Sequence, residues 1–346
     1  MLTKIIEKMF TKYTMGNIKI ASFTLKYGTI LMIGLLVIFF QSQSKMFLSA
    51  ENIINMFIAS AVLIIMTSSL TIIFSAGGFD LSLGSIGSLS GVLLAALIIW
   101  LDLPVWLAVL IPLIAGFFIG WLNGILVVHL GIEPVLATLG MSFILRGVHL
   151  TLGKGNSIHN FMINPWTEEN AMGIIDDSFR FLGIGYIGPI PIIIIISLGA
   201  ALIVHIFLQY TKWGRYFFII GGNREAAFLS GVNVKTMRKL SFAIGGIIAA
   251  FGGLIITARI GSGQLYSAEP YVLMALLALF VGFTFLGAGK ANMPGSVIGA
   301  LFATLMVNGL TMIGVHPYTV DIYRGIALVI AVSIQCYQSL KTKELR

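Results

Sequence analysis

The stretch GGFDLSLGSIGSLSG, Gly77 to Gly91, sets one carboxylate, Asp80, and a ladder of Gly and Ser between two long apolar runs. A bilayer penalises both choices. An ionisable group at membrane depth costs roughly 2.5–3.5 kcal/mol on insertion scales and marks a functional site by default. Gly and Ser there mean close helix contact, or irregular backbone beside a cavity. The stretch therefore reads as part of a pathway through a membrane protein rather than as an anchor.

Composition agrees. The chain has 346 residues, 58% of them hydrophobic and 10% charged, with a mean hydropathy of +1.00. Soluble domains carry about 25% charged residues, so this is an all-α polytopic membrane protein almost from end to end. No polar block is long enough for a separate soluble domain. The net charge of +8 is spread over loops and tails, which argues against nucleic acid as a partner. A single cysteine, Cys336, excludes an internal disulfide and a Cys-based zinc site, and the five His show no metal-ligand spacing. The N-terminal segment lacks a signal-peptide cleavage pattern and reads as a basic, amphipathic, cytoplasmic lead-in.

A spanning helix needs about 20 mainly apolar residues. Ten such spans are expected, near 25–43, 52–75, 82–100, 104–129, 133–153, 189–210, 236–257, 271–288, 294–314 and 321–338. Residues 1–24 then form a basic cytoplasmic segment, 25–338 one transmembrane domain and 339–346 a cytoplasmic tail. Lys and Arg gather on the cytoplasmic side. They crowd into residues 1–26, into the loop 211–240 and into the tail, whereas the longest loop, 154–188, carries Glu168, Glu169, Asp176 and Asp177 against Lys154 and Arg180. With ten spans, the basic segments all fall inside and the acidic loop outside. Both termini are expected in the cytoplasm.

An internal repeat is visible. Gly116-x-x-x-Gly120 precedes Gly131-Ile-Glu-Pro134 and Arg146-Gly147; Gly295-x-x-x-Gly299 precedes Gly314-Val-His-Pro317 and Arg324-Gly325. The copies begin five spans apart and so run in opposite directions, as in transporters with a site near the midplane.

Several polar residues fall inside or beside spans. Asp80 reads either as a pathway or gate residue or as a cap for a helix starting at Leu81. Ser82, Ser85 and Ser88 recur on one face, where they would line a conduit or permit tight packing. Asn123 lies on the Gly116/Gly120/Gly124 ridge, and its buried amide must find partners; Asn308 is comparable. Arg146, inside span five, would snorkel, pair with an acid of another span, or hold a polar substrate. Loop 211–240 is too long for a turn. Gly221, Gly222 and Asn223 break the chain, and residues 224–230 read as a short helix closed by Gly231. Ala226 and Ala227 give it a smooth face, Phe228 and Leu229 a greasy one. Such a helix suits docking into a groove of another protein, or rests on the headgroups of the membrane lipid. No phosphate-binding loop, catalytic triad, carboxylate pair or HExxH motif is present.

These residues resemble the permease subunits of ATP-binding-cassette importers for ribose, arabinose, xylose, galactose and autoinducer-2, within the branched-chain amino acid and sugar permease superfamily. Gly77-Gly-Phe-Asp-Leu-Ser-Leu-Gly-Ser85 resembles the family's GGIDLSVGS; Thr138-Leu-Gly140 with Leu145-Arg-Gly147 resembles TLG…LRG. Gly214-Arg-Tyr216 with Gly221-Gly-Asn-Arg-Glu-Ala-Ala-Phe-Leu-Ser-Gly231 resembles GRY…GGNxEAAxLSGI and is the most specific block. The resemblance covers about residues 45–338 and implies the type II importer fold, as in the vitamin B12 permease. It implies that the 224–231 helix, with Gly222, Asn223, Glu225, Ala226, Ala227, Leu229 and Gly231, couples the chain to a cytoplasmic ATPase subunit. That partner would hold the ATP–Mg; this chain would bind no cofactor and catalyse nothing. A solute-binding protein outside, a second permease copy or paralogue, and the bacterial inner membrane complete the implied setting. Asp80, Ser82, Ser85, Asn123, Thr138, Arg146 and Asn308 are the pathway candidates. The chain departs from the family after Ser262: where the family has a GYELDAIAAVVLGG-like run, Tyr271 is followed by Val272, Leu273 and Met274, so both acids are absent. A heterodimer with a more typical permease would explain this. Rival readings are a permease of the same superfamily for nucleosides or branched-chain amino acids, and an ion-coupled secondary transporter.

Overall fold

The computed structural model describes residues 32–285 and 291–344. The basic lead-in, the first residues of span one, the end of span eight and the last two residues of the tail lie outside the described residues. Each of the ten expected spans falls on a helix: α1 (Met32–Gln43), α2 (Ala50–Ser75), α3 (Leu83–Ile99), α4 (Val105–Val128), α5 (Pro134–Leu152), α7 (Ile192–Tyr210), α10 (Val234–Ile260), α11 (Pro270–Phe285), α12 (Met293–Met312) and α13 (Pro317–Glu344). Six of them are by length and composition able to cross a membrane alone. Sequence reasoning did not foresee α6 (Asp177–Ile184) or α8 (Lys212–Gly222), which are short and lie between spans. It placed the short helix α9 (Arg224–Leu229) to within a residue.

Burial sorts the helices. About three-quarters of the best apolar window of α2 and α10 is buried inside the bundle (78% and 72%), against 22% for α4 and 28% for α7, whose outer faces are left to lipid. α2 and α10 form the central pair and run antiparallel: Ser69 Oγ donates to Gly245 O at 2.7 Å, and Gly252, one helix turn or more beyond, abuts Met66. Small residues allow the close approach. Gly116 and Gly120 of α4 lie so near Gly246 and Phe242 of α10 that a Cβ at either would strike backbone.

The contacts repeat. α10 packs on α3 and α4 as α2 packs on α11 and α12. Within each set, α3 touches α4 and α5 as α11 touches α12 and α13. Exchanging α2–α5 with α10–α13 maps this pattern onto itself, and the antiparallel central pair makes the two units inverted. The Gly-x-x-x-Gly ridges stand on matching helices but face different neighbours: Gly116 and Gly120 of α4 lie on the central helix α10, whereas Gly295 and Gly299 of α12 sit against Gly282 and Ala278 of α11, within their own unit. Gly131 and Gly314, at φ +69° and +83°, each turn the chain ahead of a helix-initiating proline.

The two ends of the bundle differ. At one, the 76–82 junction lies against the α8–α9 region: Arg224 Nη2 donates to Gly77 O at 3.0 Å. At the other, β1 (Ile158–His159) pairs with β4 (Ser262–Gly263), and Met172 and Gly173 donate to Ile99 O. A second hairpin, β2 (Tyr186–Ile187) with β3 (Ile190–Pro191), leads into α7.

Candidate functional sites: two breaks in the membrane helices and an exposed loop helix

Both inverted units are broken between their first and second helices, and each break carries an acid. In the first, residues 76–82 are not helical and α3 begins only at Leu83, two residues later than the start expected at Leu81. Asp80 is fully buried. Its Oδ1 accepts from Ser82 N at 2.7 Å and Ser82 Oγ at 2.6 Å, a tight turn that feeds the helix rather than a cap on it. Asn123 Nδ2, from α4, donates to Asp80 Oδ2 at 3.1 Å and to Ser82 Oγ at 2.8 Å, and its own Oδ1 is left buried and unpartnered. Thr138 Oγ1, from α5, accepts from Leu81 N at 3.0 Å while donating to Pro134 O at 2.7 Å. Irregular backbone at depth survives only when such partners satisfy it. Asp80, Ser82, Asn123 and Thr138 are thus one hydrogen-bonded unit that ties α3 to α4 and α5, and no cation among the described residues pairs with its carboxylate.

In the second break, residues 261–269 leave the end of α10 and run back along α3. Gly263 lies against Gly91, Val92 and Ala95; Ala268 lies against Gly87; Glu269 lies against Gly84. Ser88 Oγ takes the otherwise stranded Ala268 N–H at 3.0 Å, so this serine holds backbone rather than lining a conduit. α11 consequently begins deep, at Pro270. The carboxylate at its head is the important find: Glu269 Oε2 lies 2.7 Å from Arg146 Nη2, Oε1 lies 2.9 Å from Arg146 Nε, and Ser85 Oγ donates to Oε1 at 3.3 Å. Of the roles open to Arg146, the one its contacts display is pairing, with the acid that immediately precedes α11. The sequence named no partner for Arg146; the acid stands two residues before Tyr271, hidden as an ordinary pre-proline loop residue. His149, one turn beyond Arg146, is fully buried with neither ring nitrogen partnered, edge-on to Tyr266 at 5.1 Å between ring centres.

Asn308 joins neither group. It exchanges two amide hydrogen bonds with Asn52, at 3.0 and 3.1 Å, locking α12 to α2. The pathway candidates thus separate into the Asp80 unit, the Glu269–Arg146–Ser85 unit and this isolated clamp.

At the end that carries the first break, α9 stands out from the bundle. Asn223 Oδ1 caps it by accepting from Glu225 N and Ala226 N, both at 3.0 Å. Gly231 ends it in the left-handed region at φ +79°, with Val232 N reaching back to Ala227 O at 3.1 Å. Ala227 alone is buried; Phe228 and Leu229 are 71% and 79% exposed, and Gly222, Glu225 and Ala226 also face outward. A cavity of about 640 Å³ opens beside it, walled by Arg224, Phe228, Val232, Asn233 and Lys235.

Residues 52–332 match the family of permease components of branched-chain amino acid transport systems. The chain is 30% identical to the ribose import permease protein of Haemophilus influenzae over 95% of its own length and 98% of the relative's. It is 32% identical to the ribose import permease protein of Bacillus subtilis, over 89% and 91% of the two chains. To the D-allose transport system permease protein of Escherichia coli K12 it is 31% identical, again over 89% and 91%. No solved structure is a significant match. With a family match over most of its length and full-length relatives at this identity, the chain belongs to the permease components of this transport-system family.

Proposed function

We propose that the chain is the membrane-spanning permease subunit of an ATP-driven importer for a sugar. The names of its relatives, import permeases for ribose, allose and galactose, support the substrate class. Two such chains, or this one and a paralogue, enclose a pathway; a binding protein delivers sugar to the face bearing the acidic 154–188 loop, and a cytoplasmic ATPase grips the opposite face. Positive charge in loop 211–240 supports a cytoplasmic position for α9. Alternating access then comes from the two inverted units rocking against each other about the central pair. The Asp80 and Glu269 units border the pathway.

The observation that carries this reading is α9: capped at both ends, anchored by one buried alanine, with two bare hydrophobic side chains held away from the bundle. Phe228 and Leu229 call for a cover, and a groove in the ATPase supplies one. Glu225→Lys and Gly231→Pro are expected to leave membrane insertion intact and to uncouple ATP hydrolysis from uptake of labelled ribose by more than tenfold. Normal sugar-stimulated uptake in both variants would refute the docking role. Uptake driven by an ion gradient in vesicles that contain no ATPase would favour the secondary-transporter reading instead.

A further inference from the structure

The middle stretches of α4 and α7 turn apolar side chains outward. Phe118 and Leu122 on α4, and Leu202 and Ile203 on α7, suit hydrocarbon. The outward face of α5 does not. Among exposed Phe143, Ile144 and Val148 it carries the Arg146 side chain, 40% exposed and bound to the 14% exposed Glu269. Arg146 lies twelve residues beyond Pro134, about 18 Å along a 19-residue helix, which is well inside a core of about 30 Å. A half-open guanidinium at that depth belongs against a water-filled cavity or protein, not against lipid.

We infer that this patch, built from Arg146, Glu269, Ser85, Phe143 and Tyr266, is a contact site for the transported solute and that it takes an uncharged polyol. The inference rests on the permease reading above and adds the residues that contact the sugar. The guanidinium and carboxylate neutralise each other, so the patch attracts no net charge. An anion would have to displace Glu269 from Arg146, and a cation would have to displace Arg146 from Glu269. A hydroxyl needs neither. Arg146 Nε and Nη2 serve Glu269, while Nη1 has no partner among the described residues. Glu269 Oε2 is held by Arg146 Nη2 alone, which leaves it a further lone pair, while Nη1 points away from the carboxylate. Hydroxyls of one polyol can serve both groups: one oxygen accepts from the guanidinium while another donates to the carboxylate, both bonds being charge-assisted. The Phe143 ring, 5.5 Å from the guanidinium, and the Tyr266 ring, 41% exposed, offer apolar faces to the C–H side of a sugar. Behind Tyr266, His149 keeps two unsatisfied ring nitrogens, a further polar reserve at the same spot.

The test uses the full importer, this chain co-purified with its ATPase and supplied with its binding protein, in proteoliposomes. In a background with the only cysteine removed (Cys336→Ser), Phe143→Cys and Phe118→Cys are each exposed to a water-soluble maleimide. The thiol at 143 is expected to react and to be slowed at least threefold by ribose, allose or galactose during turnover, while that at 118 stays inert. A thiol at 143 as inert as that at 118, or labelled at a rate none of the three sugars alters, overturns the inference. As a second reading, Glu269→Gln and Arg146→Lys should change the ratio of ribose to galactose uptake at least threefold at an unchanged level of chain in the membrane. A lowered total with an unchanged ratio means that the pair only holds α5 to α11, which also overturns it. Failure of the unaltered importer to take up any sugar would instead defeat the permease reading itself.

Discussion

Asn123 shows how the polar residues of this chain divide their work. Its amide holds a buried carboxylate and a buried hydroxyl at once, and nothing else on α4 can do so. Asn123→Leu strands Asp80 Oδ2 and should lower stability by about 1–3 kcal/mol, the usual penalty for an abandoned buried partner. Asn123→Asp, which sets two carboxylates side by side, should do worse. Thermal unfolding in detergent checks both, with equal midpoints for the two variants and the natural chain as the contrary outcome. This residue was visible in the sequence because an Asn on a glycine ridge inside an apolar run has few innocent explanations. Glu269 was not, because a Glu before a proline at a span end looks like a surface residue, and only the path of residues 261–269 along α3 carries it inward. Ser88 and Asn308 were visible as polar groups but not by role: which backbone N–H or which amide each would meet depends on helices far away in the chain.

The helices were legible because their apolar runs and prolines speak locally; their pairings were legible only where glycine spacing recorded a contact. Gly120 lies under the Phe242 carbonyl of α10 with no room for a side chain, while Gly140 on the open face of α5 has nothing within 4 Å. Gly120→Leu should therefore push α4 off α10 and abolish recovery of monodisperse chain from detergent. Gly140→Ala should leave recovery unchanged, or slightly improve thermal stability through helix propensity. Equal behaviour of the two variants in size-exclusion chromatography would contradict the assigned packing. α8 escaped sequence reading for a local reason: KWGRYFFIIGG has two breaking glycines at its end and one near its start, so its helicity comes from the Thr211 cap, whose Oγ1 accepts from Gly214 N at 3.1 Å, and from docking Phe217 and Ile220 into the bundle.

Taken whole, the molecule is built on two inverted four-helix units sharing an antiparallel spine, with α1 and α7 outside them and both breaks bordered by acids. That arrangement fixes which loops share a side. Single cysteines placed at Leu229 and at Trp166 in a cysteine-free background should label from opposite faces of sealed vesicles, and one placed at Gly131 should follow Leu229; labelling of Leu229 and Trp166 from the same face would break the topology. One small detail of the inner architecture then bears on how force would travel. Where α8 ends, Gly221 lies against the main chain of Ser75 and Gly77 with no side chain between them, and the Arg224 guanidinium holds the Gly77 carbonyl. Three residues on from Gly77 is Asp80. Bare main chain touching bare main chain leaves no compressible padding and no slack, so a tug on the projecting helix is felt at once by the thread on which the buried carboxylate is strung.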